Sequence, residues 1–355
     1  MTESQRPSRH LLLEFLIREG SAWNSLLILT HDHPDPDTIA SAWALATLVE
    51  RLHGIRSRLA YGGIIGRMEN QMMVQLLHIP LYPVDPGDFE RYRWIAIVDT
   101  QPPFQNNRLP SHRRATLVVD HHHRHANTKA DLVLVDETAG ATATLFAEAL
   151  FASRLEIPPR LATALVYAIG SETQNLGRET GPRDVAAYRT LFPLASMQIL
   201  SKIQNPPRPT SFFYTIGKAV HRAFVVRSVI GVHLGVVPSQ DIVAHMADFL
   251  LSHETMRWSL VTGRYEGRLF VSLRTRNPRA EAGKLLWRLL GGGSSAGGHA
   301  MIAGGSVDVG KGSSEHNWRK TEENLTTAFL RSQGYQEPFD FQYPFQGIRN
   351  VPAAC

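Results

Sequence analysis

The chain has 355 residues, 43% of them hydrophobic and 19% charged, which excludes a disordered or fibrous protein and favours two domains. Its one cysteine is the last residue, Cys355, which excludes an internal disulfide and a cysteine-based metal cluster and favours a cytoplasmic location. The net charge of +5 suits either an anionic partner or a solubilising surface, and no segment has the pattern of a signal peptide or a membrane span.

Short apolar runs alternate with helical patterns through the first half of the chain. This alternation predicts an α/β fold with a mostly parallel sheet covered by helices. The predicted elements, in chain order, are strand 26–30, helix 38–53, strand 57–61, a helix around 67–78, strands 94–99 and 116–120, and helices near 141–153, 158–170 and 182–193.

A proline-rich stretch, 205–211, favours an extended connector between the two domains. The predicted organisation begins with a metal-binding catalytic domain at 1–200 and a linker at 201–215. A smaller mixed α/β domain at 216–335 is expected to bind substrate across a cleft, and a tail follows at 336–355. In the second domain the predicted elements are a hairpin at 223–237, a helix at 239–253 with Ser239 as its N-cap, and two strands joined by a glycine turn at 257–275.

Basic residues are concentrated in one part of the second domain. Eight of them lie between Arg257 and Arg288, against two acidic residues. A local excess of this kind fits phosphate binding better than general solubility.

Acidic and histidine side chains follow three of the predicted strands. The stretch HDHPDPD at 31–37 comes directly after the first strand, and its prolines favour a loop that presents His31, Asp35 and Asp37. Asp99 ends the strand at 94–99. The strand at 116–120 ends in Asp120, and His121 and His122 follow it. Because the carboxyl ends of parallel strands share one edge of the sheet, these side chains are expected to meet in one cleft.

Several carboxylates at one place need cations, because like charges a few ångströms apart cannot all stay ionised. Carboxylate oxygens mixed with imidazole nitrogens favour Mn²⁺, with Mg²⁺, Co²⁺ or Zn²⁺ as alternatives. For any one aspartate, an N-cap of the following helix is the simpler explanation. For the whole set a metal site explains more, because one cap needs only one carboxylate.

The motifs resemble those of the DHH phosphoesterase superfamily, which includes RecJ exonucleases, nanoRNase/pAp-phosphatases, cyclic dinucleotide phosphodiesterases and family II inorganic pyrophosphatases. The acidic motifs are HDHPDPD, VDT at 98–100 and VDHHH at 119–123. SLRTRNP at 272–278, with GGGSSAGGHAMIAGG at 291–305, is similar to the DHH-associated C-terminal domain. The resemblance covers about 26–305 in the family's order.

The resemblance implies a role for each residue of the acidic motifs. His31 and Asp35 would hold one cation, Asp37 and His121 a second, and Asp99 would bridge the two. His122 would face the substrate phosphate, and Asp120 would orient His121 or His122. The aspartate of the family's fourth motif is replaced here by Glu172, which puts the second cation in doubt.

The glycine-rich stretch predicts a phosphate-binding or nucleotide-binding surface, because backbone amides without neighbouring side chains are open to a ligand. The residues assigned to substrate are Gly297, Gly298, His299 and Arg274. A flexible linker is the alternative explanation.

Together these features predict a manganese-dependent hydrolase with two-metal activation of water. The expected substrates are short RNA or DNA oligonucleotides or 3',5'-bisphosphorylated nucleosides, as in an oligoribonuclease or pAp-phosphatase. The alternatives are a cyclic dinucleotide phosphodiesterase and a nucleotide-binding module impaired by Glu172. We expect no membrane partner, and a homodimer is left open.

Overall fold

The computed structural model describes residues 8–104, 106–292, 296–298 and 300–346. The chain forms two compact units that divide between Pro206 and Pro207. The extended segment there is shorter than the predicted linker 201–215, because a helix ends at Gln204 and the next begins at Thr210. Prolines are tolerated just outside a helix, so this segment can be proline-rich and still have helices on both sides.

The first unit is built on a six-stranded sheet in which every pair of neighbours is parallel. The strand order is β3-β2-β1-β4-β5-β6. The strands are β1 Leu26–Leu29, β2 Ser57–Tyr61, β3 Leu81–Pro83, β4 Trp94–Val98, β5 Leu117–Asp120 and β6 Leu132–Val135. The predicted parallel sheet is confirmed, although neither β3 nor β6 was among the predicted strands.

Helices cover this sheet. They are α1 Ser8–Gly20, α2 Pro36–His53, α3 Met68–Leu77, α4 Asp88–Arg91, α5 Thr142–Ser153, α6 Pro159–Glu172, α7 Pro182–Leu191 and α8 Met197–Gln204. The central strands β1 and β4 are continuously apolar because both faces of the sheet are buried there. In β1, for example, Leu26 and Ile28 join one apolar cluster, whereas Leu27 and Leu29 join another on the opposite face.

The loop predicted for HDHPDPD is shorter than expected. Helix α2 begins at Pro36, so Asp37 lies in its first turn, and Asp35 is its N-cap residue. Proline fits at the first helical position, because its missing N–H would have no partner there in any case. The helix ends at Gly54, whose φ of 70° is the left-handed conformation typical of a helix C-terminus.

The second unit contains a mixed six-stranded sheet in the order β11-β12-β10-β9-β8-β7. Its strands are β7 Phe224–Val226, β8 Val229–Val236, β9 Trp258–Tyr265, β10 Arg268–Thr275, β11 Ala296–Gly298 and β12 Ile302–Asp308. Its helices are α9 Thr210–Arg222, α10 Asp241–Leu251, α11 Ala282–Leu289 and α12 Glu315–Ser332. Strands β8 and β9 are parallel and the other neighbours are antiparallel, so the predicted α/β class holds for this unit too.

Local details of the second unit agree with the turn signals in its sequence. The pairs β7–β8 and β9–β10 are the two predicted hairpins. The predicted N-cap Ser239 is wrong, because α10 begins at Asp241 and its N-cap is Gln240. Gly297 and Gly298 lie in strand β11 and pair with β12, so they are not part of a flexible linker.

Part of the predicted tail 336–355 is attached to the second sheet. The backbones of Val225 and Gln342 exchange two hydrogen bonds, with N···O distances of 2.7 and 2.9 Å. None of the helices in the described part of the chain is long and apolar enough to cross a membrane.

Replacing Glu322 by glutamine is expected to destabilise the protein by about 3 kcal/mol, because it breaks a buried ion pair. Arg264 donates two hydrogen bonds to the Glu322 carboxylate, at 2.8 and 2.7 Å, and the two residues are only 9% and 3% exposed. Denaturant unfolding of the full chain measures the loss. The control is Glu323→Gln on the exposed side of the same helix, expected to change stability by less than about 0.5 kcal/mol. Equal effects of the two changes would contradict the assignment.

Candidate metal centre

Three neighbouring strands of the first sheet present histidines and carboxylates at their carboxyl ends. The strands β1, β4 and β5 lie side by side. His31 follows β1, Asp99 follows β4, and His121 follows β5. The topology therefore brings together residues that are about 90 positions apart in the chain, as the parallel sheet predicts.

Asp99 lies at the centre of this group. Its side chain is buried, and its φ of 59° is a left-handed conformation that non-glycine residues seldom adopt. Strain of this kind is concentrated at functional sites. Its two oxygens face different histidines: Oδ2 is 3.6 Å from Nε2 of His31, and Oδ1 is 3.7 Å from Nε2 of His121.

Each side of Asp99 has a second carboxylate. On one side, Oδ1 of Asp35 is 3.6 Å from Nε2 of His31. On the other, Oδ2 of Asp37 is 3.8 Å from Nε2 of His121. Asp99 thus lies between two pairs, His31 with Asp35 and His121 with Asp37, and the roles of these residues as metal ligands stay predictions.

Backbone contacts orient both histidine rings toward the carboxylates. Nδ1 of His31 lies 2.9 Å from the carbonyl oxygen of Asp32, and Nδ1 of His121 lies 3.2 Å from that of Ala139. Because a carbonyl can only accept, each Nδ1 carries a proton, which leaves Nε2 as the ring nitrogen that can bind a metal. This arrangement is typical of histidines that bind metals through Nε2.

Two of the three aspartates of the 31–37 stretch, Asp35 and Asp37, also contact helix N-termini. Oδ1 of Asp35 accepts hydrogen bonds from the backbone N–H groups of Asp37 and Thr38, as a helix cap does. Both oxygens of Asp37 accept from the first turn of α5, at Thr142 and Ala143, with distances of 2.7 Å. The cap and the metal explanations are therefore compatible, because a carboxylate oxygen has two lone pairs.

The electrostatics of the group favour added positive charge. Burial, with the nearby Asp99, Asp35 and Glu172, raises the pKa of Asp37 well above its usual value. Burial, together with the nearby Asp35 and Asp99, raises the pKa of Glu172 to about 7. Burial alone would lower the pKa of His31, but contacts with Asp35 and Asp99 raise it well above its usual value.

These residues fit a divalent cation. Nε2 of His121 is buried and, within the described part of the chain, has no hydrogen-bond partner, although two carboxylate oxygens lie within 3.8 Å of it. Ligand atoms of His31, Asp35 and Asp99 all lie within 4.8 Å of one another, as do those of Asp99, His121 and His122. Separations of 3.6–3.8 Å are too long for hydrogen bonds. They suit atoms that share an ion, each at roughly 2.1 Å from it.

Thr142 supports both sides of this group, and the sequence analysis did not identify it. Its hydroxyl donates to Oδ1 of Asp99 at 2.8 Å, and its backbone N–H donates to Asp37. Its own turn is held by Asp184, a buried carboxylate that accepts from Gly140, Gly181 and Thr144. Asp99 and Asp37 lie 43 and 105 positions from Thr142 in the chain, and for this reason no local pattern indicates these contacts.

The substitution Thr142→Val is expected to weaken Mn²⁺ binding by about 10- to 100-fold, because it keeps the shape but removes the hydroxyl that orients Asp99. Calorimetric titration with Mn²⁺ measures the change. Thr142→Ser keeps the hydroxyl and is the matched control, with affinity near that of the wild type. Valine and serine variants of equal affinity would show that the hydroxyl does not position the ligand.

Asp120 orients His122, one of the two alternatives that the resemblance implied. Its Oδ1 lies 2.8 Å from Nδ1 of His122, and its Oδ2 accepts from Nε2 of Gln101 at 2.6 Å. Burial lowers the pKa of His122, but contacts with Asp120 and Asp99 outweigh it and raise the pKa to about 9. The imidazole is therefore a proton donor near neutral pH.

Glu172 ends helix α6 and lies beside Arg178. NH2 of Arg178 is 3.8 Å from Oε1 of Glu172 and donates to its backbone carbonyl at 3.2 Å. The other two guanidinium nitrogens of Arg178 are buried and have no hydrogen-bond partner in the described residues. Neither of the two tight ligand groups contains Glu172, so its role as a metal ligand stays a prediction.

The residues assigned to substrate in the second unit differ in their surroundings. Gly297 and Gly298 are exposed on strand β11, whereas His299 lies outside the described residues. Arg274 is only 4% exposed, and its guanidinium donates to Asp248 and to the carbonyls of Leu273 and Ala303. These contacts give Arg274 a structural role in the sheet, in place of the predicted contact with substrate.

Comparisons with known proteins agree with the fold and the motifs. The model of the DHH family, N-terminal domain, matches residues 25–169. An uncharacterized protein of Methanocaldococcus jannaschii is 36% identical over 286 residues, which is 80% of this chain and 58% of that protein. The chain therefore spans less than two thirds of the length of this relative.

A solved structure with a TM-score above 0.5 shows the same fold. The crystal structure of an exopolyphosphatase-related protein from Bacteroides fragilis matches 91% of this chain and 98% of its own, with a TM-score of 0.71 and 13% identity. RecJ in complex with Mn²⁺ from Thermus thermophilus is more distant, with a TM-score of 0.48 and 12% identity over 91% of this chain and 54% of that one. The matched family model, the fold and the acidic motifs agree, and residues 25–169 form a DHH family, N-terminal domain.

Proposed function

We propose that this protein is a manganese-dependent phosphoesterase that hydrolyses short oligonucleotides or 3',5'-bisphosphorylated nucleosides. The observation that carries the proposal is Asp99, whose two oxygens each face a histidine and lie between two further carboxylates. His31 and Asp35 would hold one cation, and Asp37 and His121 the other. Bound cations would lower the pKa of a coordinated water and stabilise the charge that develops on phosphorus-bound oxygens.

His122 is the residue best suited to act on the substrate. Its Nδ1 donates to Asp120, and the pKa of about 9 keeps the ring protonated at neutral pH. A protonated ring can donate a hydrogen bond to a phosphate oxygen or a proton to the leaving group. Gln101 holds Asp120, and its Oε1 in turn accepts from Thr128, so the orientation of His122 depends on a buried network.

Arg178 is a second group suited to phosphate. A guanidinium with two buried nitrogens that lack hydrogen-bond partners among the described residues is costly to keep, and an anion would accept hydrogen bonds from both nitrogens. Its position beside Glu172 and the acidic cluster is consistent with binding a phosphate oxygen there.

The test is incubation of the purified protein and Mn²⁺ with a panel of 5'-labelled dinucleotides to decanucleotides, pAp, cyclic di-AMP and pyrophosphate. We expect mononucleotides from the shortest RNAs, or phosphate from pAp. Hydrolysis of pyrophosphate or cyclic di-AMP alone would overturn the substrate assignment and support another branch of the family. No hydrolysis of any compound would overturn the enzymatic assignment.

One observation favours a nucleotide-binding module instead. Glu172 lies beside Arg178, whose positive charge competes with a cation for the same carboxylate. Glu172→Asp tests this alternative through the number of Mn²⁺ ions bound and the turnover. A wild type that binds one ion and is inactive, with a variant that binds two and is active, would establish the module.

A further inference from the structure

A cavity that has no role in the proposed metal chemistry lies at the same edge of the first sheet. It has a volume of about 780 Å³, within the usual range for small-molecule sites. We call it the edge pocket; its lining includes Tyr61, Gly63, Val84, Phe89, Arg108 and His112. Strands β2 and β3 lead into it at their carboxyl ends, next to β1. This is the edge at which parallel α/β sheets bind ligands.

The wall of the edge pocket is in direct contact with the loop that carries His31. Asp32 directly follows His31 in the chain, and its Oδ1 accepts a hydrogen bond from Nε of Arg108 at 3.0 Å. A Cβ atom on Gly62 would lie 1.8 Å from the same oxygen. Gly63 has a φ of +70°, and a Cβ there would lie 2.7 Å from the ring of His33. Gly62 and Gly63 thus let the pocket wall pack against the segment that directly follows His31, a predicted metal ligand.

The lining combines apolar surface with positive charge. Tyr61, Val84 and Phe89 are apolar or aromatic, and three prolines add further apolar surface, at positions 83, 86 and 110. Arg108, His112 and Arg113 are basic, whereas Glu90 is the one acidic residue of the lining described. Arg108 is more than half exposed, so its guanidinium reaches the pocket as well as Asp32.

This chemistry selects among phosphate compounds. Apolar and aromatic walls stabilise a flat heteroaromatic ring by burial and stacking. Basic side chains at the same place attract an anion. Pyrophosphate and polyphosphate carry the charge but have no apolar surface to bury, whereas a nucleotide has both.

We propose that the edge pocket binds the base and sugar of a nucleotide substrate whose phosphate lies at the metal centre. The proposal rests on the proposed phosphoesterase function and deepens it, because it makes the pocket the source of preference for nucleotides over inorganic phosphates. Arg108, held by Asp32, is its specificity-determining residue, and Val84 is part of its apolar wall.

The first test compares Michaelis constants. Val84→Phe fills the pocket and Arg108→Gln removes its exposed charge; each is expected to raise KM for a dinucleotide by about 10-fold, or roughly 1.4 kcal/mol, with little change in kcat. KM for the corresponding abasic dinucleotide, which has no ring to place in the pocket, should not change. The control is Arg114→Gln, because Arg114 is also exposed and pairs with an aspartate, Asp131 at 3.1 Å, but is not among the pocket residues.

The second test does not depend on catalysis. A dinucleotide containing 2-aminopurine is titrated with each protein in EDTA, and quenching of its fluorescence reports base binding. We expect wild type and Arg114→Gln to quench equally, and the two pocket variants to bind at least about 10-fold more weakly. If quenching behaves in this way but no phosphoester is hydrolysed, the function fails and the pocket stands. If hydrolysis is present but the pocket variants bind and turn over as the wild type does, the pocket proposal is overturned.

Discussion

Replacing Asp99 by asparagine is expected to lower phosphoester hydrolysis by about 1,000-fold or more and to abolish stabilisation by Mn²⁺. Asparagine is the informative substitution because it tolerates the positive φ of this position and keeps the shape of the side chain. The loss has a physical cause: both histidines, His31 and His121, share this one carboxylate. Thermal unfolding with and without Mn²⁺ measures the stabilisation, which for the wild type at 100 times Kd is about 2.7 kcal/mol.

In the absence of metal, the same substitution is expected not to lower the stability of the protein. In EDTA the asparagine variant should be as stable as the wild type or more so, because one of several crowded carboxylates has been neutralised. Asp131→Asn, at an exposed aspartate of the same unit, is the control and should leave Mn²⁺ stabilisation unchanged. Full stabilisation of the Asp99→Asn protein by Mn²⁺ would show that Asp99 is not the shared ligand.

Removing the guanidinium of Arg178 is expected to reduce kcat/KM by about 100- to 1,000-fold while Mn²⁺ affinity stays within a few-fold of the wild-type value. This reduction in kcat/KM is the size expected when one hydrogen-bond donor to a charged transition state is removed. Arg178→Gln removes the charge, and Arg178→Lys keeps it but loses the planar donor geometry, so lysine should recover only part of the activity. Steady-state kinetics combined with Mn²⁺ titration separates the two effects.

A structural role for Arg178 would give a different result. Arg178 contacts Glu172 and its backbone carbonyl, so a purely structural arginine would change stability and metal affinity together. Arg183→Gln is a suitable comparison, because Arg183 is paired with Glu148 and Asp136 in the same unit. That change should reduce stability and leave kcat/KM close to the wild-type value. Equal kinetic effects of both changes would contradict a phosphate-binding role for Arg178.

The fold of the first unit was largely predictable because its strands are apolar on both faces. An uninterrupted apolar run such as β1 indicates a strand covered on both sides, and the intervening helical patterns indicate what covers it. The three-residue strand β3 escaped prediction because it is largely exposed and ends in a proline. Strand β6 has the apolar run LVLV, but it follows β5 without an intervening helix, so the alternation of strands and helices does not predict it.

The candidate site was predictable only as a set of residues. His31, Asp35, Asp37, Asp99 and His121 all come directly after apolar strands, and a parallel sheet brings such positions to one edge. Arg274 shows where this kind of inference fails. Its charge suggested phosphate binding, but the Asp248 carboxylate and two backbone carbonyls accept hydrogen bonds from its guanidinium.

The sequence by itself determined the α/β class, the two parts of the chain and the acidic and histidine residues that meet, because hydrophobic periodicity and strand ends are local properties. Only the tertiary structure decided that the two oxygens of Asp99 face different histidines, that Nε2 of His121 has no hydrogen-bond partner among the described residues, and that Thr142 and Gln101 support the site. It also revealed the edge pocket beside the metal loop. Such properties depend on which side chains from distant positions share a buried space, and no local pattern encodes that pairing.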